Sequence, residues 1–338
     1  MLEEQIKNAI NKLSESGDAD LCEELIRTQG VQSPAFAQAA FGSGVFYPAI
    51  LYQDASPEIR DKLIDLLENE KADQLKLADS PYYSQLSADD IIRRKVDHCL
   101  DALAMIGDDT VVEYFQKWET TPKAWRKLLN IGPLEYAADV GGWCIEDGKR
   151  KSLFFEECYA LEKSENAAPE DNVYGKTASE KCPSCGSSYV NMLVLDGRDE
   201  RLSFLGINGK IKIKYCESCL PWTESVFCRY TEDGESTIIQ QEGGSNRFFE
   251  DKELNNRAPF VLSKKMVPKS YCNSNESYDC AVGGRPDFIY GAGYVTCPEC
   301  GKRMMHLAQL GMEFIGYGTH YIQICRDCKI VTATYQQT

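Results

Sequence analysis

The sequence has little of what most catalytic sites are built from. Only three histidines occur in 338 residues, His98, His306 and His320, and none belongs to a His-Glu-x-x-His helix. There is no Walker loop, no dinucleotide fingerprint and no kinase or hydrolase signature, so the chain offers no standard motif for nucleotide or hydrolytic chemistry. No apolar run approaches the length needed to cross a bilayer. The opening Met1-Leu2-Glu3-Glu4-Gln5 lacks the basic and apolar regions of a secretory signal, and a cytoplasmic protein is the expectation. Positive charge is also in deficit. The formal net charge is −15, with 52 acidic residues against 37 basic ones. Residues 1–170 hold 32 acidic and 18 basic side chains, whereas 171–338 hold 20 and 19. The first half would repel a phosphate backbone and the second would barely attract one, which disfavours nucleic acid as a partner. An acidic surface suits a basic protein or peptide, or simply keeps the chain soluble.

Cysteine is plentiful. Of the 15, eight stand in four Cys-x-x-Cys pairs. Cys182-Pro-Ser-Cys185 is answered by Cys216-Glu-Ser-Cys219, and Cys297-Pro-Glu-Cys300 by Cys325-Arg-Asp-Cys328. Two thiolates two residues apart hold one side of a tetrahedral Zn²⁺, and a second such knuckle closes the other side. The spacing predicts two structural Cys₄ zinc sites. Loop closure favours pairing each knuckle with its neighbour, since pairing across the sets must close far longer loops. Redox chemistry at Cys-Pro-x-Cys and iron–sulfur ligation are the competing uses of these thiols. Cys228, Cys272 and Cys280 form a looser group whose spacing is not that of a knuckle. Cys22, Cys99, Cys144 and Cys158 fall near apolar faces and read as core.

The first half has helical periodicity. Leu2, Ile6, Ile10 and Leu13 form one stripe ending near Gly17. Ser56-Pro57-Glu58 and Ser87-Ala-Asp-Asp90 are helix starts, Gly107 is a stop, and Asp108-Asp-Thr110 begins the next helix. The stretch from Cys99 to Val112, a helix, a Gly-Asp turn and a partner helix, looks like a HEAT-type junction, with an unrelated helical bundle as the alternative. Glu146-Asp-Gly-Lys149 between apolar runs predicts a hairpin or extended lid. The expected organisation is a helical domain over 1–162, a polar linker over 163–180 and a β-rich zinc-binding domain over 181–338. Residues 232–257 read as a long loop. Aromatics at Phe248, Phe249, Phe260, Phe288, Tyr290 and Tyr294 read as core or as a groove lining.

The two cysteine sets share more than their ligands. Each opens Cys-Pro-x-Cys-Gly, continues in a short apolar run (Val190–Leu195, Met304–Leu310), and re-enters its second knuckle on a strand-like segment, Ile211–Cys216 or His320–Cys325. An internal duplication is the reading. Gly283-Gly-Arg-Pro286, Leu307-Ala-Gln309 and Tyr321-Ile-Gln-Ile-Cys325, with the knuckles, resemble the YwqG and programmed-cell-death-2 superfamily over about residues 175–338. Leu193-Val-Leu195 lacks the glutamine of that pattern. The resemblance implies a β-rich, pseudo-duplicated domain without known catalysis, some of whose relatives act as chaperones of a ribosomal protein or look like immunity proteins.

Fold class is therefore α+β and multidomain. The leading functional expectation is a non-enzymatic, zinc-binding protein-interaction module: an adaptor, chaperone-like factor or immunity-type inhibitor. A nucleic-acid-binding zinc ribbon is the second class. An enzyme pairing His306 or His320 with a cysteine is the third, although His320 reads as an exposed strand residue and His98 as a surface or groove residue.

Overall fold

A computed structural model of the chain describes residues 2–30, 34–78, 83–241, 247–273, 279–291 and 293–337. It divides into two compact units, Met1–Leu153 and Phe154–Thr338.

The first unit is helical: α1 (Leu2–Ser16), α2 (Asp20–Gln29), α3 (Pro34–Ser43), α4 (Pro57–Glu68), α5 (Ala88–Ile106), α6 (Asp109–Thr120) and α7 (Pro133–Asp139). The helix ends follow the local chemistry that the sequence signals. Ser56, Ser87 and Asp108 each accept a hydrogen bond from a first-turn amide, satisfying donors that have no partner within the helix. Gly107 ends α5 at φ +55°, in the left-handed region. The expected hairpin closes this unit as β1 (Trp143–Glu146) and β2 (Lys149–Ser152), turned by Asp147 and Gly148, both at positive φ. Its core is apolar and centred on tryptophans whose indoles are all hydrogen-bonded. Trp143 donates to the Ala104 carbonyl at 2.7 Å, Trp125 to that of Leu67 at 2.9 Å, and Trp118 to the Glu68 carboxylate at 2.8 Å.

The second unit is β-rich. Its strands are β3 (Phe155–Lys163), β4 (Thr177–Lys181), β5 (Ser188–Asp196), β6 (Lys210–Tyr215), β7 (Val226–Tyr230), β8 (Ser236–Gln241), β9 (Phe260–Leu262), β10 (Ala281–Gly284), β11 (Met305–Leu310), β12 (Thr319–Cys325) and β13 (Ile330–Gln336), with short helices α8 (Asp251–Asn255) and α9 (Met312–Ile315). Among the described residues they make an eight-stranded sheet, β8-β7-β13-β12-β11-β10-β3-β9, and a three-stranded one, β4-β5-β6. The edges of the two sheets are tied together. The Lys210 amide donates to the Glu232 carbonyl, and the Gln241 side chain brackets the Cys216 backbone, fastening β6 to β8. Val173 donates to Phe260 of β9 and accepts from Val194 of β5. Strand edges that would otherwise recruit another chain are thereby occupied.

Three expectations are corrected here. The boundary falls at 153/154, because β3 pairs with β10 and β9 and so belongs to the second unit. The expected linker over 163–180 is part of that unit too. Val173 and Tyr174 are buried in its core, and the polar residues of β4 lie on a largely exposed strand. Within 232–257, β8 and α8 replace the expected loop. Ser236–Gln241 is a polar strand carried by its ladder to β7, and Glu250 forms a capping box with Glu253. Residues 242–246 lie outside the described residues. Gly283 and Gly284 of β10 lie opposite a bulge in β3, where Glu156 and Glu157 are the extra residues: both glycines have φ above +70°, and a Cβ on Gly284 would stand 2.6 Å from Cys158 Sγ.

Candidate metal centres

Each of the four knuckles lies next to a strand end. Cys182 and Cys185 lie between β4 and β5, and Cys216 and Cys219 follow β6. Cys297 and Cys300 precede β11, and Cys325 and Cys328 lie where β12 turns into β13. The first knuckle of each set has one hydrogen-bond pattern. Cys182 N donates to Ser187 O and Gly186 N to Cys182 O, at 2.8 and 2.9 Å. Cys297 N donates to Lys302 O and Gly301 N to Cys297 O, at 2.8 and 3.0 Å. Gly186 and Gly301 sit at φ +75° and +70° with open space around them, so it is the backbone turn, not crowding, that asks for glycine.

The hairpins between knuckles match in register. Val190, five residues after Cys185, faces Tyr215, the residue before Cys216; Met305, five after Cys300, faces Ile324, the residue before Cys325. Both ladders slip one pair further on, at Asn191/Leu193 and His306/Ala308, and the extra residues Met192 and Leu307 are fully buried.

These elements bring all eight expected cysteines into two groups of four, Cys182/Cys185/Cys216/Cys219 and Cys297/Cys300/Cys325/Cys328, with the sulfurs of each group within 4.8 Å of one another. The Sγ–Sγ separation is 3.4 Å for Cys185–Cys216 and 3.7 Å for both Cys182–Cys219 and Cys300–Cys325. A regular tetrahedron of sulfurs about 2.3 Å from a zinc ion has edges of about 3.8 Å, so the groups have the size such an ion requires. The electrostatics agree. Burial and then the Cys185 thiol push Cys216 upward, and burial followed by neighbouring thiols pushes Cys219 up to about 12. At Cys185 burial also works upward, but hydrogen bonds at Ser187 and from Cys216 and Cys219 outweigh it and bring the thiol down to about 7. At Cys300 the Lys302 amide lowers the thiol. Four thiolates this close repel one another, and a cation among them removes that penalty. Each group can hold a metal ion.

The two groups differ in cover. Cys182, Cys216 and Cys219 are buried, whereas Cys300 is exposed and Cys328 half-buried. Glu217, inside the second knuckle of the first group, is sealed from solvent, paired with Arg257 and hydrogen-bonded by Tyr317 at 3.1 Å. Nothing in the spacing of the cysteines signals this buried pair.

The other candidates do not converge. Cys228 is on β7, hydrogen-bonded to Ser236 at 2.7 Å; Cys272 packs with Cys158; and Cys280 takes the Gly311 amide at 3.2 Å. Among the described residues they form no metal-binding group. Cys22 and Cys99 are in the helical core as expected, Cys158 is in the core of the second unit, and Cys144 is half-buried on β1. His320 is not exposed. It lies on β12, every residue of which is buried between β11 and β13, and it is hydrogen-bonded to the Tyr215 hydroxyl at 2.5 Å. His306 on β11 is equally buried. Burial holds both imidazoles neutral, lowering each to about 3, with Arg257 adding to the effect at His320. His98 is half-buried, stacked on Phe46 and hydrogen-bonded with Tyr83. Of the aromatics, Phe260 and Tyr294 are core, while Phe248 is exposed and stacked on exposed Trp222, at 6.1 Å between ring centres.

No helix among the described residues is long and apolar enough to cross a membrane. No family model and no solved structure matches the chain. It is 28% identical over 307 residues to "Uncharacterized protein YpfL" of Salmonella typhimurium strain LT2, a match covering 85% of this chain and 64% of that protein, so the chain spans less than two thirds of the length of the curated relative it matches.

Proposed function

We propose that the protein is a zinc-stapled, non-catalytic module that binds a protein partner of basic character. The observation that carries this reading is the closure of both metal centres. Four thiol ligands at tetrahedral spacing leave no coordination position for a substrate, which is the mark of a structural zinc site. An all-sulfur set at a strand end favours zinc over harder ions. His306 and His320 are held neutral inside the sheet, away from any nucleophile's access, which argues against the Cys-His enzyme reading. The matched register and matched bulges of the β5–β6 and β11–β12 hairpins support a pseudo-duplicated domain, and with it the resemblance to the YwqG and programmed-cell-death-2 proteins. The α5–α6 pair, joined at Gly107-Asp108, supports a HEAT-like reading of the helical unit.

A partner has two features to meet. The first unit is acidic, and the stacked Trp222 and Phe248, 63% and 50% exposed, project beside Cys219. Exposed stacked aromatics are costly in water and are common anchors at interfaces. The test combines elemental analysis with capture. About two zinc ions per chain, with the eight knuckle thiols unmasked by a chelator, is the expected metal result. Capture of a basic protein that weakens when Trp222 and Phe248 are both changed to alanine is the expected binding result. Metal-free protein with readily oxidised thiol pairs would overturn the first half of the proposal. Steep salt-dependent affinity for RNA or DNA, unaffected by the aromatic changes, would overturn the second.

A further inference from the structure

The helical unit contains a cavity that the metal centres leave unexplained. It is an open cleft of about 350 Å³ against α5. Arg93, Arg94, Asp97 and Asp101 line one wall; the spacing of four from Arg93 to Asp97 to Asp101 puts them on one stripe of the helix. Leu128 to Ile131 and Tyr136 of α7 line the other side. Tyr136 donates to Asp97 at 2.5 Å, which fixes that carboxylate at the wall. The guanidinium Nε of Arg93 is buried without a hydrogen-bond partner among the described residues, and the nearest acid paired with that side chain, Asp90, is 3.8 Å away.

We propose that this cavity binds a small zwitterion of the amino-acid class, its ammonium against Asp97 and Asp101, its carboxylate against Arg93 and Arg94, and its side chain against Leu128 and Ile131. The argument is one of charge order. A simple cation entering the cavity meets two arginines, and a simple anion meets two aspartates. A ligand carrying both charges meets an opposite charge at each end. The volume stands at the small end of ligand pockets, which suits a single amino acid and not a large metabolite. Asp101 stands on the same wall. Burial first, and then repulsion by Asp97, lifts its carboxyl to about 7, with Arg94 opposing and Asp139 adding to the rise. An ammonium placed here would offer three donors to the carboxylates of Asp97 and Asp101.

The test is isothermal titration of the zinc-loaded full chain with L-leucine, L-methionine and L-phenylalanine, alongside isoamylamine and 4-methylpentanoate, which each retain one of leucine's charges. Saturable binding of at least one amino acid is expected, with each single-charge analogue weaker by about tenfold or more. Asp101→Asn and Arg93→Gln should each weaken the amino acid by a similar factor. Unchanged far-UV circular dichroism in both variants separates loss of the site from loss of the fold. The proposal fails if none of the three amino acids binds the parent chain. It fails equally if the single-charge analogues bind as well as the amino acid, or if both variants bind as the parent does. Failure here leaves the zinc-module reading untouched, since that rests on the other unit.

Discussion

The two units of this chain reach stability by different routes. The first, residues 1–153, carries three of the four tryptophans and three of the fifteen cysteines; the second carries the remaining tryptophan and twelve cysteines. In the helical unit, the packing is of helix on helix, and the tryptophan hydrogen bonds that tie it together reach from Trp143 to Ala104, from Trp118 to Glu68 and from Trp125 to Leu67. Capped amphipathic helices need only to stack their apolar faces around Trp118, Trp125 and Trp143. In the β unit, ligands from opposite ends of a hairpin must meet, and a strand from residue 155 must pair with one from residue 281. Long-range closure of this kind is entropically expensive, and a metal ion held by the four cysteines at each hairpin's base would offset part of it.

Chelation breaks this comparison most sharply. Each closed Cys₄ site contributes on the order of 10 kcal/mol to the state that holds it. Stripping metal should make residues 154–338 susceptible to limited proteolysis while residues 1–153 keep their helical signal. A helical unit that melts together with the sheet would abolish the distinction. A second comparison lies within the β unit. Cys219→Ser removes a buried ligand packed with Cys182 and Cys216, whereas Cys300→Ser removes an exposed one. We expect costs of roughly 5 and roughly 2 kcal/mol, read by denaturant unfolding of the metal-loaded protein. Equal costs would mean that burial of the first centre adds nothing to its hold.

Glu68 provides the corresponding weak point of the helical unit. Its carboxylate takes hydrogen bonds from Lys117 at 2.7 Å and Trp118 at 2.8 Å, and Lys123 reaches its backbone carbonyl at 2.9 Å at the end of α4. Burial works to raise this acid, but the hydrogen bonds of Lys117, Trp118 and Lys123 win and lower it to about 2. Because the folded form holds the carboxylate ionised, its stabilisation is full above the ordinary value of 4.5 and is lost as pH falls toward 2. Glu68→Ala should cost about 2 kcal/mol at neutral pH, a figure discounted for partial exposure of the ion pairs, and progressively less in acid. The chelator-sensitive transition should not move.

How much was legible follows the same division. Ser56, Ser87, Gly107 and the Asp-Gly turn announced helix ends and a hairpin, because caps and turns are set by residues within a few positions of one another. The eight cysteines announced, through spacing alone, the two groups of four that could hold a metal ion. What could not be read were facts that belong to the sheet as a whole. His320 looked like an outward strand residue because alternation assumes one wet face, yet β12 is buried on both. Val173 and Tyr174 stood in a polar stretch that resembled a linker, and only the ties to β9 and β5 give them a core to enter. The Glu217–Arg257 pair joins residues forty positions apart, with no local pattern to mark it.

The smallest predicted effect separates the two units by sign. Asp101 is the reverse of Glu68: its folded form prefers the proton, chiefly through burial and then through Asp97, with Arg94 opposing and Asp139 reinforcing. Arg93 and Tyr136 face the same cavity. Below the ordinary value of 3.8 both folded and unfolded chains are protonated at this site and it contributes nothing. As pH rises through that value the unfolded chain releases its proton while the folded one retains it, so stability declines until about 7, where the full penalty is present. Asp101→Asn should therefore stabilise the helical unit by about 1 kcal/mol at pH near 8 and by almost nothing near pH 4. Thermal melts across that range would show it. Saturation with a zwitterion that places an ammonium at Asp101 should raise the parent chain's midpoint and leave the variant's nearly unchanged, closing or reversing the gap. A gap that persists unaltered at every pH would mean that Asp101 is held by its neighbours and that the cavity has no use for its charge.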